Sequence, residues 1–184
     1  MMAKVVVVTG GSRSGKSAYA QRFAEGVAPP RTYIATATVT DEEMRVRIRR
    51  HQADREKTLW RTAEEPLDLA GAIGAAGESG VILVDCLTLW VNNLLYESEK
   101  RGACLTEEEM GEKCRQVLAV CGGVGGIVIF VTNEVGMGVV PGDALSRRFR
   151  DIAGRCNQVM AEGADAVVFM VSGLPLPLKG EKLL

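Results

Sequence analysis

The feature that most constrains this chain is the run Gly10-Gly11-Ser12-Arg13-Ser14-Gly15-Lys16-Ser17, which follows directly on the apolar stretch Val5 to Thr9. It satisfies the pattern G-x-x-x-x-G-K-[ST], and each residue type has a physical task. The glycines let backbone N–H groups turn inward around phosphate oxygens. A helix starting near Ser17 adds its positive dipole end. Lys16 reaches the β- and γ-phosphates, and the Ser17 hydroxyl suits Mg²⁺. A chance match is on the order of one per cent for a chain of this length at average residue frequencies. The context that the motif requires, a strand before and a helix after, is also present.

A phosphate loop needs a parallel sheet to carry it, and the sequence supplies one. Val5 to Thr9, Val81 to Asp85, Ile127 to Thr132 and Ala166 to Val171 are short runs rich in Val and Ile. Such runs are strands covered on both faces. Thr32 to Thr36 is a fifth, weaker candidate. Helical patterns lie between them: Ser17 to Glu25, a capped segment from Thr40 through Met44, Ile48 and His51, then Pro66 to Ala76. Thr106-Glu107-Glu108-Glu109 predicts a second capping box, leading a helix through Met110, Cys114, Val117, Leu118 and Cys121. Asp143 to Glu162 places Leu145, Phe149, Ile152, Cys156 and Met160 on one face. Gly122-Gly123 and Gly125-Gly126 predict a turn, and Leu174 to Pro177 an irregular edge. Alternating strands and helices give an α/β class with a mainly parallel sheet, and one domain over residues 1–184.

Composition excludes several other classes. Net charge is -1, so no global field draws the chain to nucleic acid or an anionic membrane. No apolar run approaches the roughly 18–20 residues that span a bilayer, and the N-terminal apolar stretch is too short for a secretory signal. The five cysteines form no C-x-x-C pair, which suits a reducing compartment, so the expected location is the cytoplasm. Cys86 reads as a packed strand-end residue.

Four further residues carry candidate chemistry. Asp85 ends an apolar strand, where an acidic residue faces the cleft beyond the sheet and can hold Mg²⁺. Asn133 and Glu134 end another strand, and there an ordinary connecting loop and a functional one stand as equal readings. His51 is the only histidine. On an apolar helix face, a structural role competes with a nucleophilic one; an imidazole with an unperturbed pKa of about 6.5 attacks phosphorus at neutral pH. The basic residues from Arg45 to Arg61 read mostly as a solvated face.

Taken together, TGGSRSGKS, YIAT at Tyr33 to Thr36, DEEM-x-x-RI-x-x-H ending at His51, WRTAE at Trp60 to Glu64, VTNEVGMGVVP from Val131 and FRDIAGRCNQ from Phe149 resemble one family. It is the bifunctional adenosylcobinamide kinase / adenosylcobinamide-phosphate guanylyltransferase family of cobalamin biosynthesis. The resemblance implies a single P-loop NTPase domain of RecA-like type. It implies phosphorylation of adenosylcobinamide by ATP or GTP, then transfer of GMP from GTP to the product through guanylylated His51. Lys16 and His51 are the implied catalytic residues. Implied nucleotide contacts are Gly10, Gly11, Ser12, Arg13, Ser14, Gly15, Lys16, Ser17, Ala35, Thr36, Ala37, Gln52, Ala53, Asp54, Arg55, Glu64 and Asp85, with Ser17 and Asp85 on Mg²⁺. It also implies a homotrimer acting on a corrinoid. The chain has Asp85 where the family usually has Glu, and its tail after Ser172 diverges. The alternative readings are another P-loop small-molecule kinase without guanylyl transfer, or a nonenzymatic nucleotide-dependent switch.

Overall fold

The computed structural model describes residues 4–38 and 59–180. The expected helix from Thr40 to His51 and the contacts at Gln52 to Arg55 lie outside the described residues. Seven strands form one sheet: β1 (Lys4–Gly10), β2 (Arg31–Ala35), β3 (Trp60–Glu64), β4 (Val81–Asp85), β5 (Ile127–Val131), β6 (Ala166–Val171) and β7 (Leu174–Lys179). Their order is β3-β2-β4-β5-β1-β6-β7. Every pairing is parallel except β6 with β7. This is the α/β architecture expected from the sequence.

Five helices are described: α1 (Lys16–Glu25), α2 (Leu69–Ala75), α3 (Leu87–Lys100), α4 (Glu107–Cys121) and α5 (Ala144–Gly163). Alternation along the central strands builds two cores. Val6 and Val8 join Leu83, Ile129, Val131 and Val168 against Tyr19, Ala20 and Ala24 of α1. Val5 and Val7 join Ile82, Val84, Val128 and Phe130 against the other helices. Small Ala20 and Ala24 let α1 lie close on its face, so the loop leading into α1 is pinned at the end of β1.

Local chemistry sets the helix starts. At α4 the Thr106 hydroxyl accepts from the Glu109 N–H (3.2 Å) and the Glu109 carboxylate accepts from the Thr106 N–H (2.8 Å), completing the expected box. Asp143 caps α5 by accepting from the Ser146 N–H at 2.8 Å. Asp68 does the same for α2 from Gly71, so that helix begins after Pro66 rather than at it. Leu145, expected on the apolar face of α5, is 56% exposed, because the buried face begins further along at Ile152.

Three elements depart from the sequence expectation. The helix α3 was not foreseen, although Leu87, Trp90, Val91 and Leu95 recur at helical spacing and are buried. Trp60–Glu64 is an edge strand beside β2. The tail, expected as an irregular edge, forms an antiparallel edge strand, β7, that carries Pro175 and Pro177 and has an irregularity in its register opposite Val167 and Val168.

Candidate active site

Register places the site at the carboxyl ends of the strands. Val8 pairs with Val131, Val131 with Asp85, Asp85 with Ala35 and Ala35 with Glu64, making one row across five strands. Open parallel sheets bind ligands beyond this edge. The phosphate loop, Ala35 to Ala37, Glu64 and Asp85 therefore lie along one side of the molecule, at the carboxyl ends of the strands.

The loop has the backbone of an anion cradle. Gly10 has φ 146°, and a side chain there would run into the Met170 carbonyl. Gly15 precedes α1 at φ 95°. Arg13 is left-handed at φ 56°, a conformation that costs an L-residue roughly 1–2 kcal/mol and tends to mark functional loops. The first bond of α1 runs from the Tyr19 N–H to the Gly15 carbonyl at 3.0 Å. The N–H groups of Lys16, Ser17 and Ala18 therefore have no acceptor within the helix and are available to an anion.

Lys16 is only 7% exposed, an unusual burial for a cation. Its Nζ donates to the Gly11 carbonyl at 2.6 Å and lies 3.5 Å from the Ser14 hydroxyl. Burial lowers its pKa, with the charge of Asp85 acting in the opposite direction. The neighbouring Cys86 thiol is pushed up to about 12, chiefly by burial and then by Asp85, so it stays protonated at neutral pH and leaves the attraction to the carboxylate. It is the packed strand-end cysteine expected from the sequence. Asp85 itself accepts from the Tyr33 hydroxyl at 3.0 Å through Oδ2.

Thr36 is fully buried, and its polar groups are already engaged. Its hydroxyl donates to the Cys86 carbonyl (2.7 Å) and accepts from the Cys86 N–H (2.8 Å), while its carbonyl accepts from Asn93 (2.8 Å). Each such buried bond contributes about 1 kcal/mol, and leaving either partner unmade costs more. Thr36 thus fixes the turn that carries Asp85. Ala35 and Ala37 are half-buried beside it, and Glu64 is exposed at the end of β3.

A second network was not visible in the sequence. The Asn133 N–H donates to the Thr88 hydroxyl at 2.7 Å, the Thr132 hydroxyl to Asn157 Oδ1 at 2.7 Å, and Asn157 Nδ2 to the Asn133 carbonyl at 3.0 Å. The Glu134 N–H then donates to the Gly10 carbonyl at 3.0 Å. The loop after β5 is therefore bolted both to α3 and α5 and to the phosphate loop. Thr88 and Asn157 come from distant segments, so no local pattern announces them.

Inward-facing amides, an interior cation and a carboxylate on the next strand but one suit a polyanion of nucleotide type, and the class is that of the P-loop nucleotide-binding transferases. Sequence comparison gives the particular family. A profile described as cobinamide kinase / cobinamide phosphate guanyltransferase matches residues 6–178. The bifunctional adenosylcobalamin biosynthesis protein CobP of Pseudomonas aeruginosa is 45% identical over 178 residues, covering 96% of this chain and 98% of its own. The proteins named CobU, bifunctional in adenosylcobalamin biosynthesis, of Salmonella typhimurium and Escherichia coli are 41% and 38% identical, each covering 95% of this chain and 99% of their own. The chain belongs to the cobinamide kinase / cobinamide phosphate guanyltransferase family, and it is an enzyme of adenosylcobalamin biosynthesis. Among the described residues no helix is long and apolar enough to cross a membrane.

Proposed function

We propose that residues 1–184 act as one transferase domain performing both reactions of the family on a shared nucleotide site. In the first, the terminal hydroxyl oxygen of adenosylcobinamide attacks the γ-phosphorus of ATP or GTP. The bond to the bridging oxygen breaks, and a nucleoside diphosphate leaves. In the second, a nitrogen of His51 attacks the α-phosphorus of GTP and expels pyrophosphate. The phosphate of adenosylcobinamide phosphate then displaces the histidine, giving adenosylcobinamide-GDP. The observation that carries this reading is the buried Lys16 in a loop of unpaired helix N–H groups, at the strand ends that also bear Asp85.

The chain's own groups divide the work. The N–H groups at the start of α1, with Lys16 and Ser17 foremost, hold phosphate oxygens, and Lys16 exchanges the Gly11 carbonyl for phosphate as charge develops. The Ser17 hydroxyl and the Asp85 carboxylate are hard oxygen donors of the kind Mg²⁺ takes beside nucleotide phosphates, one or two from protein and the rest from substrate and water. Bound there, Mg²⁺ supplies charge neutralisation. Thr36 and Tyr33 hold Asp85 in place. Ala35, Thr36, Ala37, Gln52, Ala53, Asp54, Arg55 and Glu64 are assigned to the nucleotide through the family motifs that they match.

Incubating the protein with GTP, Mg²⁺ and adenosylcobinamide should give adenosylcobinamide phosphate followed by adenosylcobinamide-GDP, resolved by chromatography and mass. Formation of the phosphate alone would leave a kinase without guanylyl transfer. Absence of both products would remove the proposal.

The assembly proposed is a homotrimer. Met137, Val139, Val140 and Leu145 expose 78%, 95%, 61% and 56% of their surface within one short stretch. Consecutive exposed apolar side chains of this kind mark contact surfaces. Light scattering at micromolar concentration should return three times the 19.7 kDa chain mass. A monomer mass would contradict the assignment.

A further inference from the structure

A cleft of about 810 Å³ opens on the face of the sheet opposite α1, between α5 and the ends of β1 and β5. Its size lies in the range of small-molecule sites, roughly 300–1,000 Å³. We propose that this cleft receives the corrinoid acceptor: its amide-bearing ring edge and the arm that ends in hydroxyl or phosphate. The inference rests on the bifunctional reading above and adds where the second substrate sits.

Four observations point to a ligand here. The first is position. The cleft includes Thr9, the residue before Gly10, and Glu134, whose N–H is bonded to the Gly10 carbonyl. An acceptor arm lying along this wall ends next to the phosphate loop. The second is an orphan: the Thr9 hydroxyl oxygen is buried and has no hydrogen-bond partner among the described residues. Buried hydroxyls are nearly always paired, so one left single at a cleft wall calls for a partner beyond the described residues, as a bound acceptor would supply.

The third observation is Gly154. It stands in the interior of a 20-residue helix, where glycine costs about 1 kcal/mol relative to alanine. Many interior glycines are explained by a neighbour that a Cβ would strike. At Gly154 a Cβ would meet nothing within 4 Å, and the residue lines the cleft. Packing among the described residues gives no reason for it; keeping the cleft open does. The face continues through the exposed Gln158, whose amide matches the amide groups on the corrin rim, while the Asn157 amide beside it is engaged with Thr132 and Asn133.

The fourth is charge. Arg155 is half-buried at the cleft and makes no hydrogen bond or ion pair among the described residues. Arg150, also half-buried there, is paired only with its sequence neighbour Asp151, at 3.0 Å. The two guanidinium groups face an acceptor that becomes anionic between the first reaction and the second, and Arg pairs well with phosphate. Glu107, Glu134 and Asp151 also line the cleft.

The test separates the acceptor from the nucleotide. Gly154→Leu fills the cleft with a good helix former, so the fold should persist, with a thermal midpoint no lower than that of the parent enzyme. Its KM for adenosylcobinamide should rise at least tenfold, while GMP loading of the enzyme from GTP alone stays at the wild-type level. Gly154→Ala, which narrows the cleft less, should show a smaller rise and covers the case in which Leu unfolds the chain. The double variant Arg150→Gln with Arg155→Gln should raise KM at least tenfold for adenosylcobinamide phosphate and at most about threefold for adenosylcobinamide. Unchanged KM values in folded Gly154→Ala and in the arginine pair overturn the cleft assignment and leave the bifunctional reading intact. A wild-type enzyme that never uses adenosylcobinamide overturns the bifunctional reading instead.

Discussion

Replacing His51 by alanine is expected to abolish the covalent GMP adduct and to reduce guanylyl transfer at least 1,000-fold, while kinase activity falls no more than about threefold. The reason is electrostatic. Direct transfer would bring an anionic corrinoid phosphate against the α-phosphorus of a polyanionic triphosphate. A neutral imidazole approaches with less repulsion and splits the reaction into two displacements. Phosphoryl transfer to the hydroxyl needs no protein nucleophile, so the first reaction survives. Intact mass after incubation with GTP and Mg²⁺ reads the adduct, which should be labile to acid and stable to base, as a phosphorus–nitrogen bond is. The chain contains one histidine, so no other imidazole can substitute. A normal yield of adduct on the alanine variant would exclude His51 as the carrier.

Lys16→Ala should cost the kinase step at least about 100-fold in kcat/KM, the scale of losing one preorganised charge at a developing oxyanion. The structure adds a reason for a large effect. Lys16 is buried, its charge is disfavoured by that burial, and phosphate restores a full partner. Removal also empties the space in which Nζ holds the Gly11 carbonyl, so the loop loses its internal brace. Lys16→Arg should not rescue, because the enclosed site fits a compact ammonium rather than a planar fork. Steady-state kinetics with varied nucleotide would decide. Kinetics within threefold of the parent enzyme would mean that the loop does not hold the transferred phosphate.

How far the sequence reached can be judged residue by residue. Val81–Asp85 and Ala166–Val171 were legible to the residue, since a strand buried on both faces announces itself as an apolar run. Thr106 and Glu109 announced α4, because a capping box is a contact between near neighbours. The helix α3 was hidden: Val81 to Leu95 is nearly continuous in apolar residues, so the helical period of Leu87, Trp90, Val91 and Leu95 merged with the strand before it. In β7 the prolines pointed to the irregular edge but masked the strand pairing that an edge position permits.

The site divides in the same way. The phosphate loop is eight consecutive residues and could be read directly, as could Asp85 at its strand end. The bonds of Thr36 to Cys86, of Thr88 to Asn133 and of Asn157 to Thr132 join segments 25 to 50 residues apart, and only the folded sheet brings them together. Gly154 lies inside the FRDIAGRCNQ motif, but nothing in the sequence set it apart from its neighbours there. It became informative only when the space beside it was seen to be open.

The two prolines of β7 have a consequence for how copies of this protein can meet. A proline has no N–H to offer the neighbouring strand, so Pro175 and Pro177, paired in register with Met170 and Val168, occupy positions whose N–H would otherwise point away from the sheet. The outer rim of β7 is therefore missing donors just where an incoming strand would need them. Continuous sheet growth from one copy to the next is blocked there, and amyloid-like stacking is discouraged, even though Leu174, Leu176 and Leu178 lie exposed along that rim. A neighbouring copy that uses this border must do so through side chains.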